Sequence, residues 1–319
     1  MNTSFNKHFY KVISLFIKTA ILFFSFYFIW EKLKKAPLFF SFPLLFSAEN
    51  YLITFAIVLL MFLNWSIEAL KWKQLIAPLE SITFLVSFKA IFSGITVSIF
   101  TPNRVGEFAG RVFFLEKADK IQGAIVSLIG SLMQLSVTLL TGVFAFFTLD
   151  KKHSTFFNVH RFFSNEFFLF LSLFLTLLIA TSLYIFFKRQ IILLRFRKYI
   201  DTFQLYTMKE LNIIFLLSFI RYVVFSIQYY FALCLFGIHG ELVVVFSLIA
   251  LTFFVTSAIP TFALTEIAVR AGVAIYFFGA ISFASSSIIG ASLFIWIINL
   301  AVPAILGSPF VWKLKFFKE

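Results

Sequence analysis

Arg104, Glu107 and Arg111 stand in the stretch TPNRVGEFAGR (101–111), directly after the apolar run AIFSGITVSIF (90–100). Ionisable groups set in so much apolar chain can pair with one another, hold an ionic ligand or move protons. A guanidinium offers a planar donor fork that fits phosphate or carboxylate, which makes Arg104 a candidate anion ligand. Glu107 and Arg111 are one helical turn apart, close enough for an internal ion pair. The same spacing returns at Glu266 and Arg270 in IPTFALTEIAVR (259–270). Arg221 lies about ten residues inside another apolar block, too deep to reach water easily, and would meet either Glu266 or a substrate.

Each charged stretch follows a proline. Pro102 and Pro260 deny a backbone N–H and disfavour helix for the residue before them, so each should break an apolar helix in two. In the first stretch Thr101 is placed to cap a second half-helix with Pro102 at its first position. Such a helix start presents free N–H groups and a positive dipole end, a ready anion site. Gly106 and Gly110, four apart, allow another helix or a lipid to come close. Two readings of the charges stay open. They bind a substrate, or they neutralise one another and lock the broken segments. A surface placement of the first stretch as loop and amphipathic helix is a further alternative.

The surrounding elements must hold these groups in a membrane. Of 319 residues 61% are apolar and 13% charged, far from the balance of a soluble domain. Six blocks, at about 11–30, 50–70, 121–149, 166–187, 211–236 and 284–308, are apolar and long enough to span a bilayer. The first of them is expected to be a retained helix with Lys18 snorkelling, because no small-residue cleavage site follows it. Two further regions, 83–118 and 242–280, carry the proline breaks and read as re-entrant helical hairpins. The expected fold is therefore all-α, a polytopic integral membrane protein with one domain over 1–319. The segment 188–210 holds six Lys or Arg against two acids, so it should be cytoplasmic. Counting outward from it puts the N- and C-termini inside.

The order helix, helix, broken hairpin, helix occurs twice, over about 1–149 and 166–308. The hairpins then enter from opposite faces, the pattern of an inverted repeat with discontinuous helices. Gln134, Gln228 and Asn299 fall within spans and suggest hydrogen bonds between helices. Glu68 and Lys71 close the second span and read as interfacial structure.

The net charge of +13 sits in short loops beside apolar blocks, where it sets topology and meets anionic lipid, so no nucleic-acid partner is expected. Cys234 is a lone cysteine, and His8, His153, His160 and His239 lack ligand spacing. No metal and no cofactor is expected. Phosphate-binding glycine loops and His-Glu-x-x-His motifs are missing. Acid–base work by two opposed glutamates ranks below transport, so the protein is expected not to be an enzyme.

At these residues the chain resembles the lysylphosphatidylglycerol synthase transmembrane region, also called the flippase-like domain family. TPNRVGEFAGRVFFLEK (101–117) is similar to that family's Pro-x-Arg-x-Gly-Glu segment. EALKWKQLIAP (68–78) resembles its helix end after the second span, and IPTFALTEIAVRAG (259–272) its later proline-to-glutamate segment. Between Pro260 and Glu266 the family has several glycines, and this chain has Thr-Phe-Ala-Leu-Thr. The soluble aminoacyl-transfer domain of the full-length synthases has no counterpart in the sequence. The resemblance thus implies lipid translocation at a bacterial inner membrane rather than lysyl transfer. The cargo would be an anionic or aminoacylated phospholipid or a polyprenyl-phosphate-type amphiphile. Head-group ligands would come from Thr101, Pro102, Arg104, Gly106, Glu107, Arg111, Arg221, Glu266 and Arg270, with Glu107 and Glu266 gating the site or carrying protons. Membrane lipids are the expected partners, with a separate lipid-modifying transferase as a further one. The alternatives are an accessory or enzyme subunit in glycolipid or lipid-precursor modification, and an ion channel or transporter.

Overall fold

The computed structural model describes residues 51–99, 101, 104–153, 201–259 and 266–312, with 16, 19, 20, 23, 27, 47 and 50. Most of the expected span 11–30, all of 166–187, the segment 188–200, the tail 313–319, Pro102 and Pro260 lie outside the described residues. Those described form helices and turns, with no strand among them.

The first helix, α1, covers Tyr51–Ile76, 26 residues without glycine or proline. It runs six residues past the expected end of its span, and Pro78, which has no N–H to offer, follows it. The broken pair comes next: α2 (Phe84–Ser98) and the seven-residue α3 (Gly106–Val112). Thr83 caps α2 by accepting the Val86 N–H at 3.3 Å. At 15 residues α2 is about 22 Å long, short of a ~30 Å bilayer core. Helix α4 is Lys120–His153.

After a 3₁₀ turn at Asp201–Leu205, α5 (Met208–Leu235) starts with a capping box. Thr207 Oγ1 accepts the Glu210 N–H at 3.3 Å, and Glu210 accepts the Thr207 N–H at 2.8 Å. The second broken pair is α6 (Leu242–Ala258) and α7 (Glu266–Phe278). The last element begins as α8 (Ser285–Trp296), passes through a π turn at Ile297–Ala301 and ends as α9 (Val302–Trp312). In the π turn the Val302 N–H reaches back five residues to the Ile297 carbonyl. Pro303 has no N–H for the Asn299 carbonyl, which explains why the regular ladder gives way there.

Among the described residues, four helices are long and apolar enough to cross a membrane: Tyr51–Ile76, Lys120–Leu149, Met208–Leu235 and Ser285–Trp312. They coincide with four of the six expected blocks. Helices α2 and α6 are shorter and also apolar.

Packing brings the two halves together. α1 lies along α5, α2 packs against both α3 and α9, and α4 carries α6. Glycines set the closest approaches. A Cβ on Gly110 would stand 2.5 Å from the Cα of Gly94, so α3 rests on α2 backbone to backbone. Gly307 of α9 lies against the Phe92 carbonyl, and Thr96 Oγ1 donates to the Ala304 carbonyl at 2.8 Å. Trp72, Phe92, Leu233 and Phe278 fill the interior, while Phe55, Leu140 and Phe144 are exposed on the outer faces. An apolar outside with charged groups inside is the arrangement that a bilayer selects.

One end of the assembly is closed by a carboxylate. Glu80, between α1 and α2, accepts the backbone N–H groups of Glu116, Lys117 and Ala118 at 3.1, 2.9 and 2.8 Å. Partial burial pushes this carboxyl up, but the three donors outweigh burial and hold it below the usual carboxylate range.

Candidate functional site

Helix α1 presents Asn64, Trp65, Glu68 and Lys71 at helical spacing, all buried. Glu68 is the centre of an ion cluster. Its carboxylate meets Lys71 Nζ at 2.7 Å, Arg111 Nη1 at 3.0 Å and Arg221 Nη1 at 3.4 Å. Glu68 is 4% exposed, Lys71 1% and Arg111 3%. Charges that deep are tolerated when each is paired several times over, because desolvation must be offset by geometry. Arg111 also pairs with Glu107 one turn back on α3.

Glycine makes this inward placement of α3 possible. Gly106 and Gly110 form its contact face, and a Cβ on Gly106 would sit 2.5 Å from the Val97 carbonyl oxygen. Between α2 and α3 the chain turns sharply. Thr101 Oγ1 accepts the Gly106 N–H at 2.9 Å and donates to the Ser98 carbonyl at 3.0 Å. Arg104 adopts φ +57°, the left-handed region that non-glycine residues rarely enter. Its side chain leaves the first broken pair and joins the second: Nη2 donates to Glu266 Oε1 at 2.7 Å. Arg270, one turn along α7, donates to the same oxygen from Nε at 3.1 Å and lies at 3.0 Å from it through Nη2.

Lys71, Arg104, Arg111, Arg221 and Arg270 thus surround Glu68, Glu107 and Glu266, an excess of two positive charges. That excess faces a cavity of ≈ 230 Å³. Arg104, Arg221 and Arg270 line it, together with Trp65, Trp296 and Asn299. No carboxylate is among the described residues of its wall. Arg221 stacks over Trp65 at 5.0 Å from the ring centroid, and its Nη1 donates to Gln134 at 3.3 Å. The Nε–H of Arg221 and the indole N–H groups of Trp65 and Trp296 have no acceptor among the described residues. The wall is rich in donors, and many of them are charged.

Asn299 reaches this wall from the π turn. Its Nδ2 donates to Gln228 at 2.9 Å and to the Ile295 carbonyl at 3.2 Å, and its Oδ1 lies 3.5 Å from Asn64 Nδ2. Gln228 in turn donates to the Ile57 carbonyl at 2.8 Å. This amide chain ties α1, α5 and the π turn into one rigid wall.

Several expectations need correction. The second half-helix begins at Gly106 rather than Pro102, and Thr101 already occupies the Gly106 N–H. A seven-residue helix with its first donor taken is no anion site, so the cationic role falls to the arginines. Arg221 meets Glu68 and Gln134 instead of Glu266, whose partners are Arg104 and Arg270. Glu68 and Lys71, read as closing a span, are buried in the protein interior and paired with Arg111 and Arg221 as well as with each other. The apolar window that set the end of their span stopped where charges began, although paired charges can stay inside. Their i, i+3 spacing on the face that also carries Asn64 and Trp65 was the available signal. Trp296, one residue before the π turn, had no sequence signal.

The sequence profile of the family described as "Lysylphosphatidylglycerol synthase TM region" matches residues 11–307 of the chain. No curated protein and no solved structure matches it.

Proposed function

The chain belongs to the lysylphosphatidylglycerol synthase transmembrane-region family, and from that premise we propose that this multi-pass membrane protein translocates a lipid. The cargo is an anionic or aminoacylated phospholipid, or a polyprenyl-phosphate-type amphiphile, and it is moved without covalent change. The observation that carries this reading is the convergence of Arg104, Arg221 and Arg270 on one cavity whose described wall has no carboxylate. Three guanidinium forks around so small a space suit a phosphate near the membrane midplane.

Glu266 is the internal competitor. It occupies Arg104 and Arg270, and an entering phosphate takes its place on them. That exchange loosens the link between the two broken pairs and lets one half rock against the other. Glu107, held by Arg111, takes part in the same gating. The packing supports an inverted repeat. α1 and α5, the second elements of the two halves, lie against each other, and the first helix of each broken pair packs on the helix that closes the other half. A two-fold relation requires such reciprocity. In this reading the broken pairs are re-entrant, the apolar blocks at about 11–30 and 166–187 complete six spans, both termini are cytoplasmic, and the membrane is a bacterial inner membrane. A separate transferase that modifies the lipid is the fitting partner.

Liposomes carrying the purified protein and fluorescent phosphatidylglycerol test the reading through dithionite quenching of outer-leaflet label. Protein-dependent flipping is expected. Wild-type flipping rates in both Arg104→Ala and Glu107→Gln would remove the site assignment.

A further inference from the structure

Three buried amides beside the cavity are ordered in one direction, and the last oxygen in the row meets no donor among the described residues. Resting on the translocase reading above, we propose that this oxygen, Asn64 Oδ1, accepts a hydroxyl or ammonium donor of the cargo's head group. Gln228 is the positioning residue that keeps it pointed that way.

The direction follows from two backbone carbonyls. A carbonyl oxygen only accepts, whereas a side-chain amide donates from its nitrogen and accepts on its oxygen. Gln228 meets the Ile57 carbonyl at 2.8 Å, so Nε2 lies on that side and Oε1 on the other. Asn299 meets the Ile295 carbonyl at 3.2 Å and Gln228 Oε1 at 2.9 Å. Both contacts need donors, and the two N–H groups of Nδ2 supply them. Asn299 Oδ1 is thereby turned towards Asn64, whose Nδ2 lies 3.5 Å away. With its nitrogen on that side, Asn64 is left with Oδ1 as the end of the row. Turning over any one of the three amides would set oxygen against oxygen.

That end belongs to the cavity. Asn64 is 2% exposed and lines it. The same wall carries the guanidinium groups of Arg104, Arg221 and Arg270 and the indoles of Trp65 and Trp296. Those groups donate and do not accept, so they suit phosphate oxygens and offer nothing to an O–H or N–H. A buried acceptor without a donor is costly, and a donor on the cargo removes the cost. Gln228 is fully buried and does not line the cavity, so it acts on the cargo only through Asn299 and Asn64.

Equilibrium binding to the purified full chain tests this with three dihexanoyl lipids. Phosphatidylglycerol carries hydroxyls, its lysyl ester adds ammonium groups, and phosphatidylmethanol keeps the phosphate diester without any donor. At least one donor-bearing lipid is expected to bind about fivefold or more tightly than phosphatidylmethanol, the scale of one amide hydrogen bond. A preference for phosphatidylglycerol identifies a hydroxyl donor, and one for the lysyl ester alone identifies an ammonium. Asn64→Leu should erase the preference while phosphatidylmethanol still binds. Gln228→Met should lower it about twofold or more with the cavity lining unchanged, whereas a loss of packing alone would weaken all three lipids alike. Gln228→Met decides by itself where Asn64→Leu does not fold. Equal binding of the three lipids to the wild-type chain overturns the inference and leaves the translocase reading standing. A preference that survives Asn64→Leu overturns it as well, and one unchanged in Gln228→Met removes the role given to Gln228. Binding of none of the lipids overturns this inference together with the translocase reading. Selective binding without flipping in liposomes leaves this inference standing and removes translocation alone.

Discussion

Arg104 and Glu266 are 162 residues apart in the chain, and their side chains meet at 2.7 Å across two broken helices. Arg104 is held in a left-handed backbone conformation while it makes this contact. Mutating either partner should slow lipid flipping, and by different routes. Arg104→Ala removes a cavity ligand and should lower the flipping rate about tenfold or more, the scale of one charge-assisted hydrogen bond. Glu266→Gln weakens the internal competitor and should tighten phosphatidylglycerol binding while slowing its release. A double-mutant cycle on flipping should return a coupling of about 0.5–3 kcal/mol.

Glu68 holds three cations at once. Glu68→Gln leaves Lys71, Arg111 and Arg221 without their shared carboxylate in a buried setting. Loss of one partner of a buried ion pair destabilises by about 3–5 kcal/mol. Thermal unfolding in detergent should therefore show a large fall in midpoint. Lys71→Met on that background, which removes a stranded charge, should recover part of it.

The contact between α2 and α3 has no room for a methyl group. Gly110→Ala would bring a Cβ to 2.5 Å from the Gly94 Cα and 2.7 Å from the Gly94 backbone nitrogen. Overpacking of this kind costs about 1–3 kcal/mol, and since α3 carries Glu107 and Arg111 the flipping rate should fall with it. Gly272→Ala on α7 is the contrast, because nothing among the described residues lies within 4 Å of the added carbon. Its unfolding midpoint should stay level or rise, as alanine favours helix by about 1 kcal/mol.

Glu80 should make one end of the molecule acid-sensitive. Its folded value lies below its unfolded one, because three backbone donors favour the charged form. The contribution is complete above the unfolded value, near pH ~4.3, and is lost as pH falls through the folded value. Hydrogen exchange should be slow at the amides of Glu116, Lys117 and Ala118 at neutral pH and should speed up in acid. Glu80→Gln should exchange faster at neutral pH, and an unchanged pattern would disprove the link.

Local geometry is what the sequence made readable. Glu107 with Arg111 and Glu266 with Arg270 follow from helical spacing, and the ends of α2 and α6 precede Pro102 and Pro260. Four spans stand out because apolar content is summed over a window. The Arg104–Glu266 contact is different in kind, since nothing in either stretch specifies a partner so distant. Glu68 was misjudged for a related reason. Its partners Arg111 and Arg221 come from α3 and α5, and without them a buried carboxylate looks like the end of a helix. Pro303 did carry a signal for the π turn, but which way the turn would aim Asn299 depends on the neighbouring helices.

The seat of α2 on α9 has a consequence for how the protein is made. Thr96 donates to the Ala304 carbonyl, 208 residues further along the chain. Ribosomes add about 5–20 residues per second, so roughly 10–40 s separate the synthesis of the two. Through that interval the first broken pair has left the ribosome with the Phe92–Thr96 seat of α9 uncovered, and for most of it Arg104 is without Glu266. The membrane insertion machinery must shelter a charged, incomplete hairpin until the last helix arrives. Seating of the first broken pair is therefore a late event in biogenesis that waits for α9.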